Sequence, residues 1–270
     1  MLFKATLPTI ALFIVLFLAD AYLFSSCSSS TTSYSTQLVE DAPPPSLRIS
    51  ATALLSGCYV GSTQLMRDDL RTLGYLPMVS PYDDAVYAAP GIFSFSGLNA
   101  IVDWVQLRLQ STDTTITYSA LLQRNGQLVD ANANPIISIE APANYYQVQL
   151  QHRNHLAIQL AEPIYLYDSL KIIDFTNPST PLFQNQSYYP TRIIGGKRAL
   201  YAGNALADNK LTYQGTTTDR MAMYIANQSQ GYFTQDADMN GKVDFLVDKN
   251  VLLLNLGNQP AATIYSQTNF

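Results

Sequence analysis

The chain has 270 residues, enough for one large domain or two small ones. Its apolar share of 47% supports a buried core, while only 13% of residues are charged, about half the usual share. A formal net charge of -5 without a basic stripe argues against nucleic acid as a partner, and polarity carried by Ser, Thr, Asn, Gln and 18 Tyr suits half-buried strands better than cytosolic helices.

Residues 1–26 read as an export signal. Lys4 supplies a positive start, and Leu7 to Ala19 is an apolar run that Asp20 interrupts. Leu23-Phe24-Ser25-Ser26-Cys27 resembles a bacterial lipobox, with small residues just before the cysteine. Cys27 is therefore the expected lipidation site, and the lipid would tie the chain to a membrane as an outer-membrane lipoprotein of the cell envelope. Ala19-Asp20-Ala21 fits a small-residue cleavage site and leaves plain secretion open. A retained anchor is a third reading, although the clean run is short for a span. Residues 27–46, rich in Ser and Thr and ending near Pro43-Pro44-Pro45, are expected to be a flexible tether. With Cys27 lipidated, Cys58 has no intrachain partner. In the apolar run Leu54 to Val60 it reads as a buried, inert thiol.

Residues 47–198 are expected to form an antiparallel β-sandwich. Leu47 to Val60 reads as one or two strands, and Met66 to Gly74 as a helical turn or capped loop. Tyr75 to Gly91, with its prolines, reads as irregular. Ile101 to Gln110 is the cleanest strand: Val105, Leu107 and Leu109 alternate with Trp104, Gln106, Arg108 and Gln110. Thr115 to Gln123 follows, and Asn125-Gly126 marks a hairpin before Leu128-Val129. Ile136 to Glu140 is a short strand, Tyr146, Val148 and Leu150 form one face of the next, and Ile172 to Phe175 is expected to close the sheet.

From residue 199 to residue 270 the pattern becomes loop, helix, loop, helix. Asp236-Ala237-Asp238-Met239-Asn240-Gly241-Lys242-Val243-Asp244 places oxygen donors at every second residue and then a glycine. Calcium wants six to eight oxygens and a sharply turning backbone. The expected ligands are Asp236, Asp238, Asn240, the Lys242 carbonyl, Asp244 through water, and Asp248, which comes one residue late. An upstream copy starting at Asn204 offers Asn204, Asp208 and the late Asp219, but Leu206 stands where an oxygen belongs, so this second site is expected to be weaker or empty. Met221, Tyr224 and Ile225 are expected to share the packed face of the first helix, with Gly231 beyond its end.

The run Ala141-Pro142-Ala143-Asn144-Tyr145-Tyr146 resembles the prealbumin-like sandwich modules of bacterial surface proteins, so the expected fold is mainly β, an Ig/prealbumin-like sandwich followed by a small helical calcium-loop pair. Four further stretches are similar to a haemagglutinin-related module of Bacteroidetes envelope proteins. They are Gly61 to Arg71, Asn99 to Val105, Ser119 to Gly126 and His152-Arg153-Asn154-His155-Leu156. Tyr213-Gln214-Gly215 with Asp219-Arg220 adds to them. The tail resembles dockerin type I calcium repeats. These resemblances imply calcium as the cofactor and adhesion or assembly as the role, without a catalytic site.

Other chemistry is poorly supported by the residues. His152 and His155 lie three apart without a third ligand, a poor zinc site, and read as structural hydrogen-bonding groups at a strand end. Asp68 and Asp69 are adjacent and do not suit a pair of glycosidase carboxylates; a helix N-cap role is expected. No Gly-x-Ser-x-Gly elbow or phosphate loop is present. The functional expectation is a non-enzymatic envelope protein with a protein or glycan ligand on the sandwich surface. Two alternatives stand beside it: a dockerin-like accessory that docks onto an enzyme or scaffold, and a hydrolase with a site near His152 and Asp68.

Overall fold

A computed structural model describes residues 45–183 and 191–256, together with the backbone of 265–266. The export segment, Cys27 and nearly all of the tether lie outside the described residues, as does most of the tail beyond the second helix.

In chain order the strands of the first part are β1 (Ser46–Thr52), β2 (Tyr59–Val60), β3 (Leu65–Met66), β4 (Ile101–Gln110), β5 (Thr115–Gln123), β6 (Leu128–Val129) and β7 (Ile137–Glu140). A short helix, α1 (Asp69–Thr72), sits between β3 and β4. Then come β8 (Asn144–His152), β9 (His155–Gln159), β10 (Ile164–Leu166), β11 (Leu170–Asp174), β12 (Thr191–Ile194), β13 (Lys197–Leu200) and β14 (Lys210–Leu211). Two helices, α2 (Asp219–Ile225) and α3 (Phe245–Asn255), and a short β15 (Tyr265–Ser266) end the description.

Two sheets face each other across a common core. The larger runs β10-β8-β4-β5-β6, with β9 also paired to β8; the smaller runs β11-β1-β7. Leu47 and Ile49 of the small sheet bury against Val105, Leu107, Leu109, Val148 and Leu150 of the large one. Among the described strands the pairings are antiparallel except β1 with β11, so the expected antiparallel sandwich contains one parallel strand pair. The β5–β6 hairpin turns at Arg124-Asn125-Gly126. Gly126 N–H donates to Gln123 O (2.8 Å), and its φ of +91° is the left-handed conformation glycine supplies at such a loop.

The two faces of β4 are unequal in a way strict alternation misses. Trp104 belongs to the outer face yet is fully buried. The irregular segment 75–94 folds over that end of the sheet. Pro77 O accepts from Trp104 Nε1 (2.9 Å), and Ser80 Oγ meets Ser119 Oγ (2.7 Å). Beyond Trp104 the cover thins: Gln106 and Arg108 are half-buried, and Gln110 is exposed.

The tail packs onto one end of this sandwich. Leu156 of β9 joins Leu211, Met223, Leu252 and Leu256 in a second small core. The expected packed face of α2 is corrected: Met223 and Asp219 are buried, while Tyr224 and Ile225 are 60% and 77% exposed. Adding Met223 to the helical stripe would have placed the buried side differently, since it lies one turn beyond Asp219.

Candidate metal centre and the buried turn beneath it

The second loop, 236–248, folds around its own carboxylates. Carboxylate oxygens of Asp236, Asp238 and Asp248 lie within 4.8 Å of one another, and all three residues are buried. The loop gets there by turning its backbone amides inward. Asp236 accepts from Asn240 N–H (3.1 Å) and Gly241 N–H (2.8 Å). Gly241 has a φ of +86° and is crowded by Leu73 and Tyr75, so a side chain there is excluded twice. Asp248 Oδ1 accepts from Ala237 N–H (2.7 Å) and Asp238 N–H (3.2 Å), and its Oδ2 from Asp244 N–H (2.7 Å). The late position of Asp248 is thus absorbed by the start of α3, whose first turn carries it back to the loop.

Asn240 is in the cluster's rim, with its Nδ2 donating to Asp238 Oδ2 (3.0 Å) and its Oδ1 accepting from Lys242 N–H (2.9 Å). Asp244 Oδ1 accepts from Leu246 and Val247 N–H and caps α3, and its carboxylate is not one of the three that converge.

Electrostatics mark the cluster as short of positive charge. Burial first, and then the Asp248 carboxylate, push Asp236 up to about 7 despite the Gly241 N–H bond. Burial and the Asp238 charge push Asp248 up to about 7 as well. Three buried carboxylates repel unless protonated or shared by a cation. A hard divalent ion fits the donors brought together here, three carboxylates with the Asn240 amide oxygen at their rim, all oxygen.

The first loop, 204–219, repeats the same frame with fewer carboxylates. Asp208 N–H donates to Asn204 Oδ1 (3.1 Å), as Asn240 N–H does to Asp236. Leu206 N–H and Thr212 N–H donate to the two oxygens of Asp219 (3.0 and 2.7 Å), as Asp238 and Asp244 do to Asp248. Ala207 and Met239 share a left-handed φ, +55° and +59°. Asp219 therefore stands in the place of Asp248, and Thr212 Oγ1 donates to it (2.8 Å). Leu206 presents no oxygen, so Asn204, Asp208 and Asp219 do not form a three-carboxylate cluster; among the described residues only Asp236, Asp238 and Asp248 do.

Beneath the second loop lies a buried turn, His152 to His155, that joins β8 to β9. His152 Nε2 is 3.1 Å from Asp103 Oδ2, and Arg153 Nε donates to the same oxygen (2.9 Å). Tyr232 Oη donates to Asp103 Oδ1 (2.6 Å). His155 Nδ1 lies 3.0 Å from His152 Nδ1, and its Nε2 accepts from Gly57 N–H (3.2 Å). These partners assign the tautomers: His155 carries its proton on Nδ1 and His152 on Nε2, so both rings are neutral. Burial lowers the pKa of His152 and holds His155 well below its usual value. Burial would raise Asp103, but Arg153, His152 and Tyr232 outweigh it and hold Asp103 at about 2.

The turn also grips the metal loop. Asn154 Nδ2 donates to Asp236 O (2.6 Å), Arg153 donates to Phe233 O, and Arg67 Nη2 donates to Asp238 O. The expected structural role of His152 and His155 holds. Asp68 does not join them: its carboxylate takes Arg71 (2.6 Å) and Arg124 (3.4 Å), and it caps α1 by position without a side-chain bond. Asp103 was missed because a single acid in a strand gives no spacing signal. Cys58 is a free, buried thiol whose pKa burial raises.

No family model matches the chain, and no curated protein matches it. Two solved chains are similar in shape. One comes from a C-terminal interface mutant of a type II cohesin–X-dockerin complex of Acetivibrio cellulolyticus, with 11% identity over 77% of this chain and 94% of that chain, at a TM-score of 0.36. The other comes from an N-terminal interface mutant of the same complex, with 12% identity over 78% and 92% of the two chains, at a TM-score of 0.29. The haemagglutinin-related resemblance rests on the quoted residues alone.

Proposed function

We propose that this chain is a non-enzymatic cell-envelope protein whose second loop binds one calcium ion and thereby holds a helical assembly surface against a β-sandwich. The observation that carries the reading is the convergence of the Asp236, Asp238 and Asp248 carboxylates inside one buried loop. Calcium would supply the missing charge, with Asn240 Oδ1 and the Lys242 carbonyl completing the oxygen set. The adjoining helices supply the surface. Tyr224, Ile225, Leu246 and Leu254 are at least half exposed, and Tyr224 packs edge-on against Phe245 at 5.3 Å between ring centroids. Exposed apolar side chains grouped on one helix pair favour a protein partner. Attachment to a membrane through a lipid on Cys27 belongs to the same proposal and is read from sequence alone.

Calorimetric titration of the purified protein with calcium tests the reading. One site of micromolar affinity is expected. No heat, or two equal sites, would overturn it. Intact-mass measurement on the membrane fraction tests the anchor, since an N-terminus at Cys27 carrying acyl chains is expected.

A further inference from the structure

The outer face of the large sheet, on the side away from the core, has a composition unlike the rest of the surface. On β8, Tyr145, Gln147, Gln149 and Gln151 belong to this face, Gln149 being itself buried, and they alternate with the core residues Tyr146, Val148 and Leu150. Their cross-strand neighbours are Gln106, Arg108 and Gln110 on β4. On the other edge of β8, Gln159 lies opposite Gln149, and Tyr165 lies opposite Tyr145.

Two features set one end of this face apart. The first is an aromatic strip: Tyr145 to Tyr165 is 5.1 Å and Tyr165 to Tyr167 is 5.7 Å between ring centroids. The three tyrosines are 63%, 46% and 49% exposed. The second is a cleft of about 520 Å³ beside Tyr145, walled by Gln110, Thr112, Gln147, Gln159 and Pro163. No ionisable acid or base lines it apart from the Tyr145 phenol.

We infer that this cleft and its tyrosine strip bind an uncharged glycan chain. The apolar face of a pyranose ring stacks on an aromatic side chain, which presents a flat, rigid surface at little entropic cost. Sugar hydroxyls are both donors and acceptors, and a glutamine amide offers both functions on one side chain. The absence of charge in the cleft wall argues against an acidic glycan and against a charged peptide.

Affinity electrophoresis in native gels tests this, with glucan, mannan, xylan and galactan as neutral probes and polygalacturonate and heparin as acidic ones. At least one neutral polymer is expected to retard the protein equally with calcium or a chelator, which separates this site from the metal loop. Tyr145→Ala and Tyr165→Ala are expected to weaken the retardation at least about tenfold. Tyr165→Phe, which keeps the ring, is expected to restore most of it. Both alanine variants alter exposed side chains and should melt as the parent does, which keeps a lost interaction distinct from a lost fold. Retardation by no neutral polymer, retardation by acidic polymers alone, or unchanged retardation in both alanine variants would each overturn the inference.

Discussion

At the scale of single residues, the two loops form a natural comparison. They share a backbone frame in which amides converge on a carboxylate of the following helix, Asp219 in one and Asp248 in the other. They differ in the ligands: Asn204 and Leu206 stand where Asp236 and Asp238 do. A frame built from amides needs only the closing acid, so it survives the loss of the cation. Asp236→Ala is therefore expected to abolish calcium binding, and Asp208→Ala to leave it nearly unchanged. With calcium a hundredfold above the dissociation constant, the parent should gain about 2.7 kcal/mol of stability that Asp236→Ala lacks. Asp244 provides a sharper test, because its Oδ1 caps α3. Asp244→Ala should cost roughly 0.5–2 kcal/mol in stability and leave the calcium stoichiometry at one. Loss of calcium binding in Asp244→Ala would show that it also serves the ion.

At the scale of elements, alternation within strands was legible and tertiary cover was not. The bounds of β4 and β5 follow from the residue pattern because Val105, Leu107 and Leu109 must share a face, and turn chemistry at Asn125-Gly126 must stop the next strand. Val105→Asp and Leu107→Asp should each prevent folding, since an unpaired carboxylate would enter the core at a cost of several kcal/mol. Gln106→Asp, on the outer face, should be tolerated; greater damage at Gln106 would mean the faces are reversed. What sequence could not give was the segment 75–94 lying over Trp104, because an irregular chain carries no periodicity to reveal where it lands. The parallel pairing of β1 with β11 was hidden for a related reason, as the partners are far apart in sequence. The seam between sheet and metal loop was hidden too. Gly57 there has no room for a Cβ, which would run into the Ala237 carbonyl oxygen. Gly57→Ala should destabilise by about 1–3 kcal/mol through that overpacking, and should weaken calcium binding by moving Ala237, next to Asp236. Denaturant unfolding and calcium titration of the same variant check both effects.

At the scale of the whole molecule, the turn from His152 to His155 joins the sandwich to the metal loop through a network that must remain neutral at the histidines and ionised at Asp103. The sign of its pH dependence follows. Below about pH 6.5 the unfolded chain takes protons on His152 and His155 while the folded chain refuses them, so stability falls as pH falls. Asp103 acts in a lower window. It is held at about 2 when folded and near 3.9 when unfolded, so its contribution, roughly 2–3 kcal/mol at neutral pH, is lost as pH drops from about 4 towards 2. Asp236 and Asp248 act in the opposite direction in the calcium-free protein: their raised pKa values favour the folded state as pH falls from about 7 towards 4. Excess calcium keeps them ionised and removes that opposing slope. Denaturant midpoints taken with excess calcium should therefore fall between pH 6.5 and pH 4, then fall more steeply below. Without calcium the upper limb should be flatter. Arg153 is the main charge that holds Asp103 down, so the lower limb reports the Asp103–Arg153 pair. A stability curve that stays level from pH 7 to pH 3 with calcium present would show that neither the neutral histidines nor the Asp103–Arg153 pair supports the junction.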